Sequence, residues 1–91
     1  MSKIRQIQAL VQNNCYYLTE HAMEEAEIDD FDVFDVEHGI LTGKTHRTWP
    51  RDDKYEVVGM SLDGRLIGVV LRVTKTIKVR IITVYEYKPS L

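Results

Sequence analysis

Three histidines (His21, His38 and His46) and a single cysteine, Cys15, are the side chains of this 91-residue chain best suited to move protons or attack electrophiles near neutral pH. Their spacing excludes several chemistries. No C-x-x-C or H-x-x-x-H pair sets two ligands on one turn, so no metal site is expected. No G-x-x-x-x-G-K or G-x-G-x-x-G loop is present to cradle phosphates, and no cofactor is expected. Cys15 reads as a small buried apolar residue rather than a nucleophile. His46 is followed by Arg47, Trp49 and Arg51, a basic and aromatic segment of the kind that contacts phosphate and stacks a nucleobase. The alternative is a polar loop with one packed indole. His21 falls at the second position of a predicted helix, where a neutral imidazole acts as a base or hydrogen-bonds a phosphate. Its alternative is a helix-start packing residue donating to a nearby carbonyl.

These side chains must be held by one small domain, residues 1–91, because a chain this short builds one core of modest stability. With 44% hydrophobic and 29% charged residues it falls outside the disordered, collagen-like, disulfide-scaffold and coiled-coil classes. Residues 1–14 lack the apolar run of a secretory signal, and the stretch Leu66 to Leu71 is far shorter than the ~20 residues that span a bilayer. The reading is a soluble, reducing, cytoplasmic protein with no membrane partner.

Ser2 is placed to cap a helix over residues 3–12, in which Ile4, Ile7, Leu10 and Val11 form one stripe before Asn13 and Asn14 end it. Residues 15–18 make a short, extended bridge. Thr19 caps a second helix ending near Glu27, with Leu18 and Met23 as a hydrophobic staple. Asp29 or Asp30 caps a third, in which Phe31, Val33, Phe34 and Val36 keep the helical period and His38 and Gly39 mark the stop. From Ile40 onward the pattern is that of strands: a segment interrupted at Gly43, then residues 55–62, 66–73 and 77–87. Asp63 and Gly64 signal a two-residue hairpin turn with positive φ at both positions, and residues 74–76 a looser one. Residues 46–53 read as an exposed, partly mobile polar connection. The fold class is α+β, with N-terminal helices packed on one face of a small, largely antiparallel twisted sheet.

Charge divides along the same line. Residues 1–38 carry two bases against nine acids, whereas residues 39–91 carry ten bases against five. An acidic helical layer thus backs a basic sheet, and such a face collects polyanions even on a chain of net charge −2. The acids are mostly a solvated face. In the last strand, alternation puts Ile77, Val79, Ile81, Thr83 and Tyr85 on one side and Lys78, Arg80, Ile82, Val84 and Glu86 on the other. Arg72 joins Lys78 and Arg80 if the register allows, giving a basic cluster; otherwise these long stems merely cover the sheet.

Read as a line, Leu18, Thr19, Glu20, His21 and Ala22, then Ile28, Val36 and Gly43, then Tyr55, Asp63 and Gly64, and finally Ile81, Ile82, Thr83, Val84 and Tyr85 resemble a bacterial family, domain-of-unknown-function family 4258. The resemblance runs from about Tyr17 to Tyr87 and leaves out the first helix. Such families are similar to the RelE and BrnT toxins, which implies a small antiparallel sheet with helices on one face and a toxin that cleaves RNA. His21 matches the family's His, Gly43 its Gly before the variable loop, Tyr55 a strand-start aromatic, and Thr83 and Tyr85 its last-strand motif. One departure stands out: many members continue H-A-x-x-x-R with further bases, whereas residues 23–27 here are acidic and apolar.

The resemblance implies an endoribonuclease of a toxin–antitoxin pair working without metal. In it His21 or His46 is the acid or base, Arg47, Arg51, Arg72, Lys78 and Arg80 hold phosphates, and Tyr85 or Trp49 stacks a base. Arg80 and Tyr85 count with the two histidines as catalytic candidates. Its partners are RNA or the ribosome and an antitoxin covering the basic face. The alternatives are a non-enzymatic protein- or RNA-binding module, and a ligand-binding or metabolic domain that the sequence does not reveal.

Overall fold

The first ten helical residues illustrate how local chemistry sets the boundaries. Helix α1 (Lys3–Gln12) begins after an extended Ser2, whose side chain makes no capping bond but whose carbonyl accepts from Gln6 N–H. It ends as the double asparagine predicts: Asn14 adopts φ 60°, and the amides of Cys15 and Asn14 donate to the carbonyls of Leu10 and Val11. This is a Schellman closure with asparagine in the left-handed position. Residues 2–89 are described by a computed structural model. Among them the elements continue as β1 (Tyr16–Leu18), α2 (Glu20–Ile28), α3 (Val33–Thr42), β2 (Lys44–Trp49), β3 (Lys54–Met60), β4 (Leu66–Val73) and β5 (Val79–Glu86). None of the described helices is long and apolar enough to cross a membrane.

Thr19 caps α2 as expected, its Oγ1 accepting from Ala22 N–H at 3.1 Å. Asp29 and Asp30 do not cap α3. They close α2 in a second Schellman turn, with Asp30 at φ 60° and Phe31 N–H donating to Ala26 C=O. The cap is Asp32, which exchanges side-chain to backbone hydrogen bonds with Asp35 in a capping box. Nor does α3 stop at His38 and Gly39; it runs to Thr42 and is ended by Gly43. Gly39 serves close packing instead, since a Cβ there would collide with Ile67, and one at Gly59 would collide with the Gly39 carbonyl. Gln8 of α1 donates through Nε2 to the carbonyl of Ile40 at 3.0 Å, satisfying one of the end groups of α3.

The five strands form one sheet in the order β1-β5-β4-β3-β2, antiparallel throughout except that β1 runs parallel to β5. The helices cover one face. Ile67, Val69 and Leu71 of β4 lie with Val57, Val79, Ile81 and Val84 against Ile7, Val11, Ala22, Val36 and Ile40, all of them fully buried. The sequence alternation of β5 is corrected at one point: Val70 pairs with Thr83 but Leu71 with Ile81, so Ile82 is an extra, bulged residue. The bulge reverses the facing of the residues after it. Val84 turns into the core, and Thr83 and Tyr85 turn to the open face beside Arg80. Cys15, expected to be buried, is only half-buried.

Two hairpin loops also depart from expectation. The turn after β3 is a three-residue loop, closed by Ser61 N–H to Arg65 C=O, in which Gly64 alone has positive φ. After β4, Thr74 N–H donates to Lys78 C=O, and the residue forced into the left-handed region is Ile77, at φ 59° and 54% exposed. A β-branched side chain is strained there. Ile77→Gly is expected to raise stability by about 1 kcal/mol, read as a higher urea midpoint at unchanged slope.

Helix α2 continues the line of β1 along the edge of β5. Glu25 Oε1 accepts from Val84 N–H (3.2 Å) and Asp29 Oδ2 from Glu86 N–H (2.8 Å), so two of the nine acids stand in for a missing strand. On the opposite side of the same layer, Tyr16 donates its hydroxyl to Glu37 at 2.8 Å. Burial, together with the hydrogen bond and charge of Glu37, pushes this phenol up to about 12 from 10.0. The folded value lies above the unfolded one, so the contribution is complete below pH 10 and is lost as pH rises through about 12. Tyr16→Phe should cost about 1 kcal/mol at neutral pH and flatten the alkaline fall in stability, checked by urea unfolding from pH 7 to 12.

Candidate nucleic-acid interface and acid–base site

The face of the sheet away from the helices is where the chemistry-bearing residues collect, and the register arranges them in rows. Arg80 of β5 lies directly opposite Arg72 of β4. One residue beyond the Tyr55 and Leu71 pair, Lys54 of β3 falls opposite Arg72, and Lys54 in turn pairs with Trp49 of β2. Three cations and an indole therefore cross four strands, spaced by about 4.8 Å per strand. The Arg47 guanidinium and the Lys54 ammonium each lie 5.7 Å from the centre of the Trp49 ring. The next row is Thr83, Val70, Glu56 and Arg47; the one after is Tyr85, Gly68, Val58 and Lys44. Gly68 is required because the Tyr85 ring lies across it, with the hydroxyl oxygen 2.7 Å from where a Cβ would be.

Glu56 is anomalous on this face. Its side chain is 3% exposed, and its Oε1 accepts from His46 Nδ1 at 2.7 Å and from Arg47 Nε at 3.3 Å. A buried carboxylate is stable only when paired and hydrogen-bonded, and these two partners supply both conditions. The bulge that interrupts β2 between Thr45 and Arg47 makes His46 the extra residue, which turns its ring onto Glu56 beside Arg47. Because a carboxylate only accepts, Nδ1 carries a proton and Nε2 is the nitrogen free to exchange one. Nε2 meets the Tyr87 hydroxyl at 3.1 Å, the two rings standing edge to face at 5.2 Å. Glu56, His46 and Tyr87 thus form a hydrogen-bonded line from a buried charge to the surface.

At the other end of the cationic row, Arg72, Thr74, Lys75, Arg80 and Ile82 line a depression of about 440 Å³. Like charges directly opposite on adjacent strands are destabilising, and among the described residues no carboxylate lies within 4.0 Å of Arg72, Lys75, Lys78 or Arg80. Arg65 shows the contrast: it is tied to Asp63, Glu86 and the carbonyls of Asp29 and Asp30, a fully structural base. An arginine pair without a carboxylate partner can take an anion from outside.

A family model described as domain of unknown function (DUF4258) matches residues 18–86. The chain belongs to this family. The DUF4258 match spans α2 to β5, taking in His46, Glu56 and the cationic row while leaving out α1 and Tyr87. No curated protein and no solved structure matches the chain.

Within the DUF4258 region the predicted site residues separate into two groups. His46, Arg47, Trp49, Arg72, Arg80 and Tyr85 share the open face. The first half of the segment read as a mobile connection, residues 46–49, belongs to strand β2; the strand's residues are almost all exposed, so no burial period marked it. Only residues 50–53 form a turn, where Arg51 lies exposed. Lys78 precedes β5 in the hairpin loop, its amide donating to Thr74 Oγ1. His21 occupies the second position of α2 as expected, but its only ionic partner is Glu25 at 3.3 Å, and no hydrogen bond among the described residues joins it to His46. Tyr55 faces the helices, donating to Asp53; desolvation, then Asp53, raises its hydroxyl above the usual phenol value. Sequence reasoning missed Glu56, Tyr87 and Lys54. The signal for Glu56 was an acid in the middle of an apolar strand, opposite Arg47 in a hairpin turning at residues 50–53.

Proposed function

We propose that the open sheet face binds single-stranded RNA and cleaves it with the chain's own side chains. The observation that carries this reading is the buried Glu56 carboxylate holding His46 in one tautomer beside a row of cations and an indole. His46 Nε2 takes the proton of a ribose 2′-hydroxyl, and the oxygen attacks the adjacent phosphorus. Arg47 stabilises the charge that develops on the phosphoryl oxygens, and the Arg72 and Arg80 pair, two to three strands away, holds a neighbouring phosphate of the same strand. The 5′-oxygen leaves with a proton from Tyr87, which regains it from the His46 imidazolium 3.1 Å away. The products are a 2′,3′-cyclic phosphate and a 5′-hydroxyl. Trp49 and Tyr85 stack flanking bases. A toxin of the RelE or BrnT kind, the expectation drawn from the sequence motifs, would act in this way, with an antitoxin as a partner for the basic face.

The test is a labelled RNA oligonucleotide incubated with purified chain in the presence of chelator, alone and on translating ribosomes. Cleavage to cyclic-phosphate ends, abolished by a single 2′-deoxy substitution, is the expected result. RNA that is bound but left intact in both settings overturns catalysis and leaves a binding module, a reading that the unneutralised arginine pair by itself already favours.

A further inference from the structure

Among the described residues, strand β1 is paired along one edge only. Cys15 C=O accepts from Val79 N–H and Thr19 N–H donates to Ile81 C=O, both at 2.9 Å. In a parallel ladder the residues in phase with these turn toward β5, so Tyr16 and Leu18 direct their N–H and C=O groups outward. Outside the strand ladder itself, no backbone hydrogen bond among the described residues uses those four groups. Along this free edge runs an open groove of about 710 Å³, walled by Met23, Ala26 and Glu27 of α2 and by Phe31, Asp32 and Val33 where α3 begins. Met23 is 53% exposed and Tyr17 and Val33 40% each, an apolar surface beside an unfilled strand position.

The electrostatics of the groove select its occupant. Residues 19–37 contain nine carboxylates and no lysine or arginine. Among the described residues Glu27 and Asp32, on the groove itself, have no basic side chain within 4.0 Å. We propose that this edge takes an extended, basic segment of another protein as a sixth strand, its alternate apolar side chains in the groove and its lysines or arginines against Glu27 and Asp32. Main-chain hydrogen bonds to Tyr16 and Leu18 give affinity, and the groove and its acids give specificity. A second copy fits poorly: β1 paired with its own twin brings two carboxylate clusters together, and β1 joined to the β2 edge of a neighbour repeats without closing. The inference is independent of the RNA reading, since β1 and β2 are opposite edges of the sheet.

The experiment titrates the full isotope-labelled chain with an end-blocked nine-residue peptide of alternating valine and lysine, following amide hydrogen exchange by NMR. Its valine–glutamate counterpart and a backbone N-methylated lysine peptide serve as controls. The expected result is exchange at Tyr16 and Leu18 at least about tenfold slower with the lysine peptide alone. Met23→Lys, on an exposed wall, lowers affinity at least about tenfold without loss of fold. Absence of protection at those two amides, whether from no binding or from shifts scattered over the acidic helices, overturns the proposal. So does equal binding of the N-methylated peptide. Protection that appears without peptide and grows with protein concentration assigns the edge to a second copy and overturns it too.

Discussion

Replacing His46 by alanine is expected to lower the rate of RNA cleavage by about 10²- to 10⁴-fold, the usual worth of a positioned acid–base group. Binding of the same RNA, measured by fluorescence anisotropy, should fall far less, because the phosphate contacts are elsewhere on the face. The substitution also leaves Glu56 buried with Arg47 as its one ionic partner, which costs about 1–3 kcal/mol of stability. Rates are therefore compared where circular dichroism shows both proteins folded. Glu56→Gln separates orientation from charge: the amide oxygen still accepts from Nδ1–H, so a loss near tenfold is expected rather than the full effect. Cleavage unchanged by His46→Ala would remove the histidine from the mechanism.

The second large effect has opposite signs in two measurements. Arg72→Thr combined with Arg80→Thr should weaken RNA binding by about a hundredfold, since two charge-assisted phosphate contacts at about 1.5 kcal/mol each are lost. The dependence of log affinity on log salt should become shallower by about 1.4 for a single-stranded ligand. Stability should rise by about 0.2–1 kcal/mol, because threonine suits a strand and the facing like charges are gone. A purely structural pair would give the reverse, with lower stability and unchanged affinity. Gain of stability with loss of binding is the expected signature of residues kept for a ligand.

By itself, the sequence of this DUF4258 chain determined whatever is local. The stripe of Ile7 and Val11, the Asn14 stop, the Thr19 cap and the apolar, Val- and Ile-containing run of residues 66–73 each follow from chemistry within a few residues, and all appear where that chemistry puts them. The α+β class and the division between acidic helices and basic sheet follow from their order along the chain. What only the tertiary structure decided is pairing. Strand β2 is exposed on both faces and carries no period to read, so the hairpin that brings His46 to Glu56 was invisible. The bulge at Ile82 adds one residue without any compositional mark, yet it sends Tyr85 to the open face and Val84 to the core. Register set Arg72 against Arg80, and a parallel contact between the first and last strands left Tyr16 and Leu18 with a free edge. These outcomes depend on hydrogen bonds between segments distant in sequence. Their geometry is fixed by how the whole apolar face fits against three helices, and no single segment contains that information.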